Sequence, residues 1–369
     1  MDWPFDLFFG MDDSMRVLPK RYAVRPEGAA RYFKSTLLVL LSSVLCLIAS
    51  PHLRAEEESG EQPDAFVQVW RAYGYLTSQG QVIDQIAVRY PDMKEAVDKA
   101  KNAFAVSDFG KGGAVLEATV REQSGEEWPE VRKELQAQIA QTVAEEKLAL
   151  SRDYARGLIS DLEKQAKGEG MQDDLRRTLL SVHPAFKKSP AAEMTAGWRQ
   201  SCLLADSPRS EKCPIAFEFP MSWAKRDGDL NGVVHVLRSF AGSGRVACAL
   251  YSKKAVDDSA PEATVEMMGE VFSKDFLARN VPKGAKLIAA RPTTIAKKPG
   301  GLVIYDADQD VGFGKVPTRN LMFSLMHKRH MVQFQFAIMV LPEEKLEFDA
   351  LEKQFFPCFQ AIIDTVIRK

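Results

Sequence analysis

The chain has 369 residues, of which 46% are hydrophobic, and its formal net charge is −1. That length accommodates two domains of ordinary size, and the hydrophobic fraction is usual for a globular protein. No block of Lys and Arg is interleaved with aromatic residues. The composition therefore favours a globular protein and argues against a nucleic-acid-binding one, because such proteins carry a basic excess on one face.

An uncharged apolar segment, STLLVLLSSVLCLIAS, occupies residues 35–50. Basic residues precede it and three glutamates, residues 56–58, follow it. This order is typical of a secretory signal, and the apolar core of about 13 residues is shorter than the ~20 that a membrane-spanning helix needs. We predict a signal over residues 1–55, of more ordinary form if translation begins at Met11 or Met15, and an exported, periplasmic protein. The alternative is an uncleaved segment that anchors the chain in the inner membrane, and we expect no other membrane contact.

Four cysteines follow the predicted signal. Cys202 and Cys213 flank a short polar loop, and thiols oxidise in the compartments that exported proteins reach. A disulfide between these two would contribute about 3 kcal/mol by restricting the unfolded chain; two unpaired cysteines beside a linker are the alternative. Cys248 and Cys358 lie in apolar segments, where buried free thiols are the simpler interpretation.

Helical periodicity extends over residues 60–198, for which we predict a helical domain. Apolar residues at three-four spacing predict a helix from Pro91, and glycines in the segment Gly110–Gly113 separate it from the next one. An apolar stripe predicts one long helix from Pro129 to beyond Leu162. We expect this stripe to pack within its own bundle rather than to bind an external partner.

The hydrophobic period changes to two after Cys213, which predicts strands with one buried face. Residues 199–214 are predicted to form a linker, and helical spacing returns at residues 261–281 and from residue 342. Strands are predicted at residues 215–219, 234–238, 246–250, 286–291, 302–305, 321–326 and 332–340. The order strands, helix, strands, helix predicts an α+β domain over residues 215–369, with a largely antiparallel sheet flanked by helices.

Residues 216–223, AFEFPMSW, carry a resemblance to a known family. The sequence of strand, proline, two residues and tryptophan, formed by Phe217, Phe219, Pro220 and Trp223, resembles the opening of PsbP-like domains. This family is named after an extrinsic subunit of photosystem II and includes a Ran-binding branch and bacterial exported relatives. The resemblance covers residues 213–369 and implies a non-enzymatic domain that docks onto larger assemblies. The helical half is similar to an uncharacterised bacterial exported family that pairs such helices with this domain.

The most metal-like string is the acidic segment of residues 227–232. Asp227, Asp229 and Asn231 place oxygen ligands at alternate positions and Gly232 is sixth, as at the start of a calcium loop. The twelfth position, however, is Arg238 where a calcium loop has Glu. A polar hairpin turn explains the same residues, so we expect a turn and keep calcium as the alternative.

A second acidic segment contains Asp306, Asp308 and Asp310. Its twelfth position is Pro317, so it matches a calcium loop less well. We interpret it as a solvated connection between two strands.

Two histidines, His327 and His330, flank the dipeptide Lys328-Arg329. If the dipeptide is a tight turn, the imidazoles become cross-strand neighbours that could hold zinc or copper. Two ligands are too few for a complete site. We therefore predict an exposed basic turn here.

The sequence has no HExxH, CxxC or GxGxxG motif and no nucleophile elbow, which are the usual signs of hydrolytic, redox or nucleotide chemistry. We expect a non-enzymatic exported protein of the cell envelope, without a cofactor, that binds an unidentified envelope protein or a small ligand. The alternative is a calcium- or zinc-binding protein, or a metal-dependent enzyme, that uses the loops at Asp227 and Asp306.

Overall fold

The computed structural model describes residues 65–228, 232–242, 244–254, 265–310, 315–340, 344 and 346–368, so the predicted signal lies outside the described residues. The chain divides into two compact units. The first runs to Lys187 and includes Phe240–Ser243, and the second consists of Lys188–Ser239 and Gly244–Lys369. The first is helical and the second combines helices with antiparallel sheets, which confirms the predicted α+β class. None of the helices described has the length and hydrophobicity that crossing a bilayer requires.

The first unit is built from amphipathic helices whose apolar faces share a core. In α1 (Ala65–Arg89), Ile83 and Ile86 are buried, and they belong to one cluster with Val97 and Ile159. Such a face stabilises a helix chiefly through tertiary packing. The helices that follow are α2 (Lys94–Val106), α3 (Asp108–Gly113), α4 (Leu116–Ser124), α5 (Trp128–Ala149), α6 (Arg152–Gln165), α7 (Asp173–Val182) and α8 (Pro184–Lys188).

The long helix predicted from Pro129 is in fact two helices, α5 and α6. Ser151 has an extended backbone, and its hydroxyl accepts a hydrogen bond from the backbone N–H of Tyr154 at 3.2 Å. This contact is an N-cap, which satisfies a free donor at the start of α6. The apolar spacing continues across the break, since Leu150 and Ile159 are buried in the same cluster. The prediction of one helix was wrong because periodicity alone does not reveal a cap.

The glycines at residues 110–113 belong to α3 rather than to a break in the helices. A Cβ atom on Gly112 would lie 2.1 Å from the carbonyl oxygen of Leu179 in α7. Real Cβ atoms do not approach backbone oxygens so closely. Gly112 is therefore needed for the close packing of α3 against α7.

The second unit begins ahead of the predicted sheet domain, with α9 (Ala191–Thr195), and contains two sheets. The predicted linker contains a strand, β1 (Arg199–Leu203), and the chain ends in another short strand, β10 (Ile367–Arg368). The remaining strands are β2 (Ile215–Pro220), β3 (Ala224–Asp227), β4 (Val233–Arg238), β5 (Val246–Lys254), β6 (Lys286–Ile295), β7 (Lys298–Asp310), β8 (Lys315–His327) and β9 (His330–Met339). One sheet has the order β1-β2-β10 and the other β3-β4-β5-β9-β8-β7-β6, with antiparallel pairing throughout.

Each face of the seven-stranded sheet is covered by a hydrophobic cluster. On one face, residues of the three-stranded sheet and of α12 (Phe348–Asp364) pack against the central strands; the rings of Phe336 and Phe359 stack with centroids 4.2 Å apart. On the other face, Met268 of α10 (Val265–Val271) and Leu277 of α11 (Lys274–Arg279) pack against β6, β7 and β8. The alternation predicted strands with one buried face, but both faces of the sheet are covered, and β8 is therefore buried along nearly its whole length.

Candidate functional site

The turn that follows β2 is fixed by two side chains from earlier in the chain. Glu193 on α9 accepts hydrogen bonds from the backbone N–H and the hydroxyl of Ser222, both at 2.6 Å. Gln200 on β1 donates to the carbonyl oxygens of Pro220, at 3.1 Å, and of Trp223, at 2.6 Å. Trp223 itself is 2% exposed and belongs to the main core cluster. The four residues of the family-like opening, Phe217, Phe219, Pro220 and Trp223, are all buried.

Glu193 is an unusual carboxyl group, because it is only 3% exposed. Burial raises its pKa from an ordinary value of 4.5 to about 7, and the hydrogen bonds from Ser222 and Met221 partly oppose that rise. Desolvation disfavours the charged form of any buried carboxyl. The group therefore titrates near neutral pH. Its hydrogen bonds from Ser222 hold the turn in place.

The acidic hairpin at Asp227 contains a buried histidine that the sequence did not single out. His235, on β4, is 4% exposed and lies opposite Asp227 on β3. Its Nδ1 atom is 3.1 Å from the carboxylate of Asp227, although this approach lacks hydrogen-bond geometry. Burial lowers the pKa of His235, as does Lys225, whereas Asp227 raises it. Asp229 and Asn231, the other two proposed oxygen ligands, lie outside the described residues.

The second acidic segment is not a loop. Asp306 and Asp308 lie within β7, which continues to Asp310. Arg319, opposite Asp306 on β8, donates two hydrogen bonds to its carboxylate at 2.8 and 3.0 Å. The prediction of a solvated connection was therefore wrong, because a cross-strand arginine neutralises the charge that suggested a loop.

Arg319 is the centre of a larger charged cluster. It is 5% exposed and also donates hydrogen bonds to Asp349 and Glu352, near the start of α12, while its guanidinium lies over the ring of Phe348 at 5.2 Å. Hydrogen bonds to its carboxylate neighbours raise its pKa further above the ordinary range. These contacts join α12 to β7 and β8 and leave Asp306 engaged by an arginine rather than open to a metal ion.

The two histidines at the β8–β9 turn are cross-strand neighbours. His327 pairs with His330, and Lys328, with a φ of 53°, forms the tight turn with Arg329. His327 is 7% exposed, and Nε2 of His330 lies 3.2 Å from the carbonyl oxygen of Glu211. In the part of the chain that the structure describes, no group of three His, Cys, Asp or Glu side chains is placed to hold a metal ion.

The strand register brings further basic residues to this turn. Lys253 and Lys254, at the end of β5, lie opposite Met331 and His330 on β9. The backbone N–H of Lys254 donates to the carboxylate of Glu211 at 3.0 Å, which places the neighbouring Lys212 at the same end of the sheet. We call this surface the cationic end; it consists of Lys212, Lys253, Lys254, Lys328 and Arg329. Glu211 is the acidic residue that these contacts place among them.

The cysteines differ from the predicted arrangement. Cys202, Cys213, Cys248 and Cys358 are all buried and all free, so the predicted bond between Cys202 and Cys213 is absent. Two left-handed residues, Glu211 and Lys212, precede Cys213, and the hydroxyl of Ser252 on β5 donates a hydrogen bond to the carbonyl oxygen of Ser210 at 3.2 Å, which holds this segment against β5. The short sequence separation of Cys202 and Cys213 therefore does not bring them together.

Comparison with known proteins finds similarity in structure but not in sequence. No protein-family model matches the chain, and no curated protein matches its sequence. The solution structure of cyanobacterial PsbP (CyanoP) from Synechocystis is similar at 14% identity and a TM-score of 0.30, over 46% of this chain and 92% of that one. A crystal structure from Bacteroides thetaiotaomicron is similar at 8% identity and a TM-score of 0.26, over 42% of this chain and 45% of that one. Identity and TM-scores this low do not indicate a function.

Proposed function

We propose that this chain is an exported, non-enzymatic docking protein of the cell envelope, and that its second unit is a PsbP-like domain. The order of strands and helices from β2 to α12 and the turn at Pro220–Trp223 support the domain assignment. The basic flank, apolar segment and acidic residues before Glu58 support export. The partner is an envelope protein with an acidic surface.

The observation that carries this proposal is the cationic end of the sheet. Five basic residues from three separate segments lie at this end of the sheet, and the carboxylate of Glu211 accepts a hydrogen bond from the backbone N–H of one of them, Lys254. Lys212, Lys253 and Lys328 are exposed. A surface of one charge sign steers an oppositely charged partner and fixes its orientation.

The docking proposal is tested by charge reversal at two exposed residues, Lys212→Glu with Lys328→Glu. The partner is first isolated by cross-linking in envelope fractions and identified, and its affinity is then measured at several salt concentrations. We expect the double variant to bind about tenfold more weakly, roughly 1.4 kcal/mol, with a smaller salt dependence. The matched control is Lys286→Glu with Lys315→Glu, at other exposed sites of the same sheet. Equal losses in both double variants would contradict the proposal.

Export is tested separately, by sequencing the N terminus of the protein recovered from periplasm. We expect the mature chain to begin between Ser50 and Glu56. Retention of the intact chain in inner-membrane fractions after an alkaline wash would show the anchored alternative instead.

A second candidate function is metal binding at the hairpin of Asp227. The side chain of Asp227 is 85% exposed, so a metal ion can reach it, and it lies beside His235. Calcium or zinc bound stoichiometrically to the purified protein would support this alternative. Full folding with no bound metal would support the docking function.

A further inference from the structure

Strand β6 lies at the end of the strand order in the seven-stranded sheet. It pairs with β7 along one edge, and no other strand in the described part of the chain pairs with its second edge. Six of its ten residues are exposed, so another molecule can reach this outer edge. Such an edge offers unpaired N–H and C=O groups, to which a strand of another chain can add.

The turn between β6 and β7 determines which backbone groups of β6 point outwards. It consists of two left-handed residues, Ala296 with a φ of 50° and Lys297 with a φ of 63°. Ile295 pairs with Lys298 across it. Left-handed residues at both central positions are typical of the two-residue hairpin turn, and the two residues that close this turn exchange both of their backbone hydrogen bonds. Ile295 therefore directs its N–H and C=O towards β7.

Bonded and non-bonded pairs alternate along an antiparallel ladder. Counted from Ile295, the residues Thr294, Pro292 and Ala290 occupy non-bonded positions, with Pro292 opposite Gly301. Their backbone groups point away from β7, towards the outer edge. Proline has no N–H, so β6 loses no hydrogen bond to β7 at this residue, whereas its outer edge loses a donor.

Two other features affect the same edge. The register with β7 shifts between Leu287 and Ala289, which makes Ile288 the extra residue of a bulge. Leu287 and Ile288 are 41% and 40% exposed, so apolar side chains at this edge would favour association. Lys286 and Arg291 are also exposed, and β6 has no acidic residue. Bulges and basic residues both oppose the pairing of edge strands.

We propose that Pro292 keeps the outer edge of β6 from pairing with the β6 of a second copy of this chain. Every copy carries the same edge, and a two-fold axis would place two such strands side by side and antiparallel. In a ladder of that kind each Pro292 fails to donate to the facing strand, so two hydrogen bonds are missing, one from each molecule. The bulge and the basic residues weaken the pairing that remains.

The test compares the sedimentation of the natural chain and three variants, purified from the same host, over a wide range of concentration. Pro292→Thr returns one donor to each molecule, so we expect the dissociation constant for self-association to fall by about tenfold or more. Pro292→Thr combined with Thr294→Pro moves the proline to another outward position and should sediment like the natural chain. Thr294→Val keeps Pro292 and is the matched control.

Hydrogen exchange locates the association on β6. In the natural protein, the outward N–H groups of Ala290 and Thr294 should exchange faster than those of Arg291 and Thr293, which bond to β7. In Pro292→Thr, the outward groups should become protected as the protein concentration rises. Protection elsewhere in the sheet, with no change at these two residues, would contradict pairing through β6.

Equal self-association of the natural chain and of folded Pro292→Thr would overturn the proposal. Equal self-association of the single and double variants would also overturn it, because the double variant still carries an outward proline. If Pro292→Thr does not fold, the exchange of the natural protein decides the matter. Slow exchange at Ala290 and Thr294 in dilute solution would show that the edge is already occupied and refute the role of Pro292, whereas fast exchange would support it.

Discussion

Replacing Glu193 with glutamine should change how the stability of the protein depends on pH. The pKa of this carboxyl rises from 4.5 in the ordinary state to about 7 in the fold. Each pKa unit corresponds to about 1.4 kcal/mol, so the two states differ by roughly 3 kcal/mol in their preference for the proton. A raised pKa means that the folded state holds its proton more tightly than the unfolded state does. The stability that the protonated Glu193 carboxyl gives to the fold is therefore complete below pH 4.5, and it is lost as the pH rises through about 7.

The measurement is urea unfolding of the natural protein and of Glu193→Gln at a series of pH values from 5 to 8. The natural protein should lose most of roughly 3 kcal/mol of unfolding free energy across this range. Glutamine resembles the neutral carboxyl and stays uncharged, so the variant should show a smaller loss and should be the more stable of the two at pH 8. Glu270→Gln, at an exposed position of the same unit, is the matched control and should retain the natural slope. Identical slopes in the natural protein and Glu193→Gln would refute the reasoning.

The remaining predictions concern packing and the acidic hairpin. Trp223→Ala should destabilise the protein by about 3–5 kcal/mol in thermal or urea unfolding, because it empties a buried aromatic site, and a loss below about 1 kcal/mol would contradict that role. Gly112→Ala should destabilise the protein, because the new Cβ atom would lie 2.1 Å from the carbonyl oxygen of Leu179. Gly157→Ala is the matched control; no atom lies within 4 Å of its new Cβ, so it should stabilise α6 by roughly 0.5–1 kcal/mol. A gain in stability in both variants would contradict the close approach of α3 to α7. Added calcium should leave the melting temperature unchanged in the natural protein and in Asp227→Ala. A rise in the natural protein that is absent from the variant would establish a calcium site, because a ligand that binds only the folded state stabilises it.

Much of the fold follows from periodicity, because periodicity is set by burial. The predicted strand at residues 332–340 is β9, whose alternate residues Phe334 and Phe336 are buried in the main core. β1 escapes this reasoning because Cys202 is its only buried residue, so its five residues show no alternation of buried and exposed side chains. Its pairing with β2 depends on residues 13 or more positions away, which the local pattern does not contain.

The candidate sites were less predictable than the fold, because they depend on which strands become neighbours. The turn at Lys328-Arg329 was predicted, but the sequence does not show that Lys253 and Lys254 join it through the pairing of β5 with β9. Nothing in the sequence marked Glu193 as unusual, because a single glutamate in a helical segment is normally exposed. Only the fold places it against the turn at Ser222. The acidic segment at Asp306 wrongly suggested a loop, because the arginine that neutralises it, Arg319, lies on the adjacent strand.

The position of β10 has a consequence for the order of folding. Ile367 and Arg368, among the last residues of the chain, pair with Ala216 and Ile215 near the start of the second unit. Such a contact between distant segments closes late, since the loop between them costs entropy before any pairing offsets it. The three-stranded sheet is therefore incomplete until residues 367 and 368 reach β2. Until then, the edge of β2 opposite β1 has no partner strand.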